Sequence, residues 1–155
     1  MPAPILIFGY GNSSRGDDGL GPAFLQAWAA SPHFDPARQE LLTDFQLQVE
    51  HALDLQNREW VCFVDASLAA PAPFRFEILD PQRDDSFTTH AMSPQALLAV
   101  YQQVLRQTPP PCFLLSIRGY DFALGADLSE SARGHLRQAL LFIENLLTQT
   151  VEVSE

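Results

Sequence analysis

The segment PILIFGYGNSSRGDDGLG, from Pro4 to Gly21, decides the predicted fold. Its first half contains a short continuous apolar run, residues 5–8, that ends at a glycine. Such a run is typical of a buried strand. Its second half is a glycine-rich loop, and Pro22 follows at a place where proline favours the first turn of a helix. The segment therefore predicts a buried strand, a loop and a helix in direct succession.

The remaining chain alternates between strand-like and helix-like patterns. Apolar or alternating runs predict four further strands, at residues 41–45, 60–64, 74–79 and 112–117. Apolar residues at helical spacing predict helices from Pro22, around residues 49–53, from Ser93 to about Arg106 and from Ser129 to about Leu147. Strands that alternate with helices favour an α/β sandwich with a mostly parallel sheet.

The direction of one strand follows from the length of its connection. Only about eight residues join Asp65 to the strand at 74–79, whereas a parallel crossover needs a dozen or more. That strand is therefore predicted to be antiparallel. The full prediction is a three-layer α/β sandwich, with a mostly parallel, twisted, five-stranded sheet, one antiparallel strand and helices on both faces. Residues 1–155 suit a single domain, with a polar, frayed tail at about 149–155.

The composition excludes several classes of function. The formal net charge of −10 disfavours nucleic acid and anionic membranes as partners, because both attract clustered cations. All nine basic residues are arginines, so a phosphate-loop lysine, a Schiff base and a serine–lysine dyad are excluded. We expect no signal peptide and no membrane span, which needs roughly 20 apolar residues. Cys62 and Cys112 lie in apolar runs and are predicted to be reduced core residues, which favours a cytoplasmic protein.

The glycine-rich loop is compatible with a cation rather than with a phosphate. A dinucleotide-binding fingerprint requires glycine at position 14, which is Ser14, and a phosphate loop requires lysine after Gly16. Asp17 and Asp18 stand there instead, and carboxylates repel a phosphate. The alternative is a structural turn with two solvated aspartates. Asp17 itself could orient Asp18 or cap the following helix.

Two further residues are predicted to meet Asp18 at one edge of the sheet. Asp65 directly follows the apolar run 60–64, and His90 lies in a polar loop before a helix. Ligand sites of α/β sheets lie beyond the C-terminal ends of the strands, and two carboxylates with one imidazole suit nickel, zinc or manganese. Taken singly, Asp65 could be a turn or cap residue and His90 an ordinary loop histidine. Three other histidines are predicted to be structural or solvent-facing: His33, His51 and His135.

Three motifs resemble the [NiFe]-hydrogenase maturation endopeptidases: GYGNSSRGDDGLG at 9–21, Val64-Asp65-Ala66 after a strand, and Thr88-Thr89-His90 before a helix. The resemblance spans nearly the whole chain. It implies an endopeptidase that removes a C-terminal extension from a hydrogenase large-subunit precursor and recognises the nickel already inserted there. It also implies that Asp18, Asp65 and His90 are both the catalytic and the metal-binding residues, where other divalent ions could also bind. We expect a monomer.

Two loops depart from the pattern of that family. Residues 44–48 replace a Gly-Gly turn, and residues 116–122 replace a loop that more often contains proline. Both loops are expected to border the site, so the hydrogenase isoform that serves as substrate is open. A non-catalytic metal-binding module or maturation chaperone with the same three ligands is the alternative function. A phosphate- or nucleotide-binding α/β domain is a second alternative.

Overall fold

The computed structural model describes residues 2–82 and 92–153. Its strands are β1 (Ile5–Tyr10), β2 (Gln39–Asp44), β3 (Trp60–Ser67), β4 (Phe74–Ile78) and β5 (Cys112–Arg118). Its helices are α1 (Leu20–Ala29), α2 (Pro94–Leu105) and α3 (Glu130–Val153), together with 3-10 segments at Gly16–Gly19 and Val49–Leu55.

The five strands form one mixed sheet in the order β2-β1-β3-β5-β4. Four of them run parallel, and β4 pairs antiparallel with β5 at the edge, with Phe74 opposite Ile117. The prediction that the strand after Asp65 runs antiparallel is therefore confirmed, as is the α/β fold. The connection after β3 is too short for a parallel crossover. Strand β4 therefore runs opposite to β3, and it pairs with β5 instead.

Helices cover both faces of the sheet and give it two cores. On one face, α1 and α3 pack against alternate strand residues such as Ile7, Cys62 and Leu115. On the other face, α2 and the second 3-10 segment pack against the intervening residues, such as Phe8 and Phe63. Each parallel strand is thus apolar on both sides, which explains the continuous apolar runs in the sequence.

Several elements differ in extent from their predictions, and one residue differs in exposure. Helix α1 begins at Leu20, and Pro22 is its third residue, where a missing N–H is tolerated. Strand β3 continues past Asp65 to Ser67, because β5 continues beside it. Helix α3 runs to Val153, beyond the predicted start of the frayed tail. The apolar residue Leu53 is exposed although it fits the helical spacing, because the segment around it is a 3-10 helix.

Both cysteines are free and buried, as predicted, and burial raises the pKa of each thiol. Cys62 lies in the α1–α3 core and Cys112 in the α2 core. They are therefore packing residues on opposite faces of the sheet. Among residues 2–82 and 92–153, none of the helices has the length and apolarity that a membrane crossing requires.

Candidate functional site

A glycine in α1 brings the glycine-rich loop against the sheet. A Cβ atom on Gly21 would lie 2.5 Å from the Tyr10 carbonyl oxygen and 2.6 Å from that of Val64. Both distances are too short for any side chain, so glycine allows α1 to lie directly over β1 and β3. The 3-10 turn Gly16–Gly19, which leads into α1, contacts β3 as a result. This turn contains Asp18.

The loop before this turn fixes the Asp18 carboxylate. Gly11 has a φ of +144°, and a Cβ atom there would collide with the Asp18 carbonyl oxygen, so the two backbone segments touch. The backbone N–H of Asn12 donates to Asp18 Oδ2 at 2.9 Å. Asp18 is only partly buried. One of its oxygens is therefore oriented by the loop, and the side chain remains accessible.

Asp65 lies in the C-terminal part of β3, on the face that α2 covers. Its register partner on β5 is Ser116, and the hydroxyl of Tyr10, at the end of β1, hydrogen-bonds its carboxylate. Burial raises the pKa of Asp65 to about 7. The nearby charge of Asp18 also raises it, while hydrogen bonds from the Ala66 N–H and the Tyr10 hydroxyl oppose the rise. The two predicted carboxylates thus lie close enough to repel each other.

His90 lies outside the residues that the structure describes, so its place in the site stays a prediction. Met92, two residues later, is described, and its N–H donates to the Leu47 carbonyl oxygen at 3.4 Å. Leu47 follows the C-terminal end of β2, and Ser93 caps α2 by accepting from the Ala96 N–H at 3.0 Å. Helix α2 therefore begins at the same sheet edge as the carboxylates. Within the described ranges, no three acidic, histidine or cysteine side chains are grouped to hold an ion.

Asp17 has a different environment from its neighbour Asp18. It is fully buried and accepts four hydrogen bonds. The donors are the N–H groups of Tyr120 (2.8 Å), Asp121 (3.1 Å) and Ser129 (2.7 Å) and the Ser129 hydroxyl (2.8 Å). Burial alone would raise the pKa of Asp17, but these bonds together bring it below its usual value. Asp17 caps neither Gly16–Gly19 nor α1, so the capping role is wrong, and the role of orienting Asp18 stays a prediction.

The other three histidines have structural or surface positions, as predicted. His51 accepts from the Gln48 N–H through Nδ1 at 2.8 Å, and its Nε2 lies 3.2 Å from an oxygen of Asp44. His33 is exposed near Glu144, and the His135 ring contacts the Tyr120 hydroxyl at 2.9 Å. Both nitrogens of His51 have partners, so it has no free position for a ligand.

The chemistry of the two accessible carboxylates suits a divalent cation. A carboxyl group whose pKa is near 7 is short of compensating positive charge or donors. A cation between Asp18 and Asp65 would supply that charge and would remove the repulsion between them. Carboxylate oxygens are hard ligands, and a nearby imidazole would shift the preference towards borderline ions such as nickel or zinc. The residues present therefore fit a metal ion.

Comparison with known proteins identifies the fold. No family model and no curated protein sequence matches the chain, but several solved structures do. The hydrogenase maturating endopeptidase HybD from E. coli has a TM-score of 0.74 at 19% identity, over 97% of this chain and 94% of that one. The [NiFe] hydrogenase maturation protease HycI from Thermococcus kodakarensis KOD1 has a TM-score of 0.71 at 20% identity, over 94% and 93%. The hydrogenase 2 maturation peptidase from Thaumarchaeota archaeon SCGC_AB-539-E09 has a TM-score of 0.67 at 21% identity, over 93% and 97%. The chain has the fold of these proteases along nearly its whole length.

Proposed function

We propose that this protein is a hydrogenase maturation endopeptidase that removes a C-terminal extension from the precursor of a [NiFe]-hydrogenase large subunit. One observation supports this proposal above the others: Asp18 and Asp65 converge at the C-terminal edge of a sheet whose fold is shared with such proteases. A fold alone hosts many functions, so the paired carboxylates are needed to choose among them. We further propose that it acts in the cytoplasm, since both cysteines are buried and unpaired, and that it is a monomer.

The ligands of the substrate's nickel are Asp18, Asp65 and His90 in this proposal. Asp18 is oriented through one oxygen by the Asn12 N–H, and Asp65 is held by Tyr10. Support for His90 comes from Met92, two residues away, which is bonded to the loop after β2. An ion held by the precursor needs only these few accessible ligands to be recognised. A site without thiolates also suits docking on the nickel rather than removing it.

Docking on the ion fixes the peptide bond that will be cut. A water molecule and a peptide bond that are held together react as one unit, which removes much of the entropic barrier. The ion or a carboxylate activates the water. Asp18 and Asp65 both have the role of ligands, and the ion would favour the ionised form of Asp65.

Turnover on a nickel-loaded precursor tests the function against a chaperone with the same ligands. The precursor is incubated with a hundredth of its amount of protein, and its mass is followed with time. An endopeptidase shortens many precursor molecules per chain, whereas a chaperone leaves the mass unchanged. Asp18→Asn is expected to be inactive. Asp80→Asn, which makes the same change at an exposed carboxylate after β4, is the matched control and is expected to be active.

A further inference from the structure

The buried carboxylate of Asp17 joins two segments that are more than 100 positions apart in sequence. Its Oδ2 accepts from the N–H groups of Tyr120 and Asp121, and its Oδ1 accepts from the N–H of Ser129. The Ser129 hydroxyl adds a fourth bond, to Oδ2. All three donor residues belong to the loop between β5 and α3, residues 119–129. The loop therefore closes around this one side chain.

Backbone bonds join the same two segments on either side of Asp17. The N–H of Gly16 donates to the Ala126 carbonyl at 3.0 Å, and that of Asp17 donates to the Asp121 carbonyl at 2.7 Å. The N–H of Gly125 donates to the Ser14 carbonyl at 2.6 Å. Loop 119–129 and the turn that contains Asp18 thus form one hydrogen-bonded unit, with the Asp17 carboxylate at its centre.

The fit around Asp17 is tight as well as polar. A Cβ atom on Gly119 would lie 2.9 Å from the Asp17 Cβ atom, so the loop backbone lies directly on this side chain. Gly119 follows the end of β5, and its N–H donates to the Ser67 carbonyl of β3 at 2.9 Å. Asp65 lies two residues before Ser67 on that strand. A continuous path of contacts therefore runs from the Asp18 turn through Asp17 and the loop to the strand that holds Asp65.

We propose that Asp17 is a positioning residue, which holds the Asp18 turn against loop 119–129 and so sets the geometry between Asp18 and Asp65. This inference rests on the proposed function. The negative charge faces four donors, all of them groups of the protein. Its contribution is to hold Asp18 at a fixed distance and orientation relative to Asp65 on β3.

Asparagine cannot replace Asp17 here, although it has the same shape. Both carboxylate oxygens accept from backbone N–H groups, and asparagine has only one acceptor oxygen. Its NH₂ group would face either the Ser129 N–H or the N–H groups of Tyr120 and Asp121, and donor would face donor. Asp17→Asn should therefore release part of the loop without creating a cavity. Ser129→Ala removes only the hydroxyl bond and a cap of α3, so it should have the same effect on a smaller scale.

The test measures processing of nickel-loaded precursor by the wild type, Asp17→Asn and Ser129→Ala, at a temperature at which each is folded by circular dichroism. Ile143→Ala, in the α3 core far along the helix, is a control for lost stability alone. We expect kcat/KM to fall by about 10–100-fold in Asp17→Asn, as when an outer partner of a metal ligand is removed. The loss should be mainly in kcat, because a misplaced Asp18 still meets the ion but leaves the peptide bond poorly aligned. Faster hydrogen exchange at the amides of Tyr120 and Asp121 should accompany it.

Wild-type kcat in a folded Asp17→Asn variant would overturn the positioning role, as would an equal loss of kcat in Ile143→Ala. If Asp17→Asn does not fold, Ser129→Ala decides: faster exchange in loop 119–129 with unchanged kcat contradicts the inference. If the wild type leaves the precursor uncut, the proposed function falls and this inference with it. Processing by the wild type and by Asp17→Asn at the same rate would remove this inference alone.

Discussion

Asp17 and Asp65 are both carboxylates at the C-terminal edge of the sheet, yet their surroundings move their pKa values in opposite directions. Asp17 is fully buried and accepts four hydrogen bonds, and its pKa lies below the usual value. Burial raises the pKa of Asp65 to about 7, the charge of Asp18 adds to the rise, and the hydrogen bonds from Ala66 and Tyr10 only partly oppose it.

The difference shows that burial alone does not set the state of a carboxylate. Hydrogen-bond donors directed at the oxygens stabilise the ionised form, and a neighbouring negative charge destabilises it. Asp17 is satisfied by the protein itself and is therefore a structural group. The ionised form of Asp65 is destabilised by burial and by the charge of Asp18, and an ion brought by a partner would relieve both. This difference is the basis for proposing that Asp17 is a support and Asp65 a ligand.

The largest effect should come from removing a ligand. Asp65→Asn and Asp18→Asn are each expected to fold normally and to lose processing of nickel-loaded precursor by more than the ~100-fold that an outer-partner change can cause at a metal site. The loss follows because each variant removes one negative ligand while keeping its shape. Initial rates from mass spectrometry measure it. A rate within tenfold of wild type in either variant would show that its carboxylate is not a ligand.

Next in size is the stability lost when Asp17 is neutralised. Asp17→Asn should lower the free energy of unfolding by about 2–4 kcal/mol at pH 7, because hydrogen bonds to a charged group are worth about 1.5–3 kcal/mol each. The folded pKa of Asp17 lies below the unfolded one, so its stabilisation is complete above the unfolded value and is lost as pH falls through the folded value. Urea titrations at pH 7 and pH 3 should therefore show a smaller difference at pH 3.

Substitution of Asp65 by asparagine should change the free energy of unfolding in the opposite direction. The folded pKa of Asp65 lies above the unfolded one, so its ionisation lowers stability progressively from about pH 4 to about pH 7. Asp65→Asn should therefore raise the free energy of unfolding above pH 7 by about 1–2 kcal/mol, a value reduced from 1.36 kcal/mol per pKa unit because the group is partly exposed. Near pH 3 the two proteins should be equally stable. A destabilised Asp65→Asn at pH 8 would end the contrast with Asp17.

The smallest effect concerns the pH dependence of metal binding. Metal binding needs ionised carboxylates and a neutral imidazole, and the sequence alone assigns this dependence to His90, with an ordinary pKa of about 6.5. The structure adds Asp65, which loses its proton in the same range. His90→Ala should therefore weaken binding of Ni²⁺ but keep a rise in affinity from pH 6 to pH 8, measured by calorimetry. A flat profile in His90→Ala would mean that Asp65 is already ionised at pH 6.

The fold was predictable where local chain geometry decides it. Continuous apolar runs marked the buried strands, and the short link after Asp65 was enough to predict an antiparallel edge strand. The ends of the strands were less predictable. Strand β3 reaches Ser67 only because it pairs with β5, which comes more than 40 residues later in the sequence. Long-range pairing of this kind leaves no trace in the local sequence.

The candidate site was also predictable in part. Asp18 and Asp65 were expected to converge because the C-terminal ends of parallel strands share one edge. The sequence could not decide between the two roles predicted for Asp17, since Asp17 and Asp18 are the same residue type and the donors that distinguish them lie more than 100 residues away. The local sequence shows only that Asp17 precedes the predicted ligand Asp18 and that the pair lies between Gly16 and Gly19. The place of His90 stays a prediction.

Nickel dependence of cleavage tests the central claim most directly. Equal amounts of nickel-loaded and nickel-free precursor are incubated with the wild-type protein, and the masses of both are followed over the same time. If Asp18, Asp65 and His90 recognise the ion that the substrate carries, only the nickel-loaded precursor is shortened, and adding the protein in excess does not change this. Equal cleavage of both precursors would contradict the account and would indicate a metalloprotease that carries its own ion.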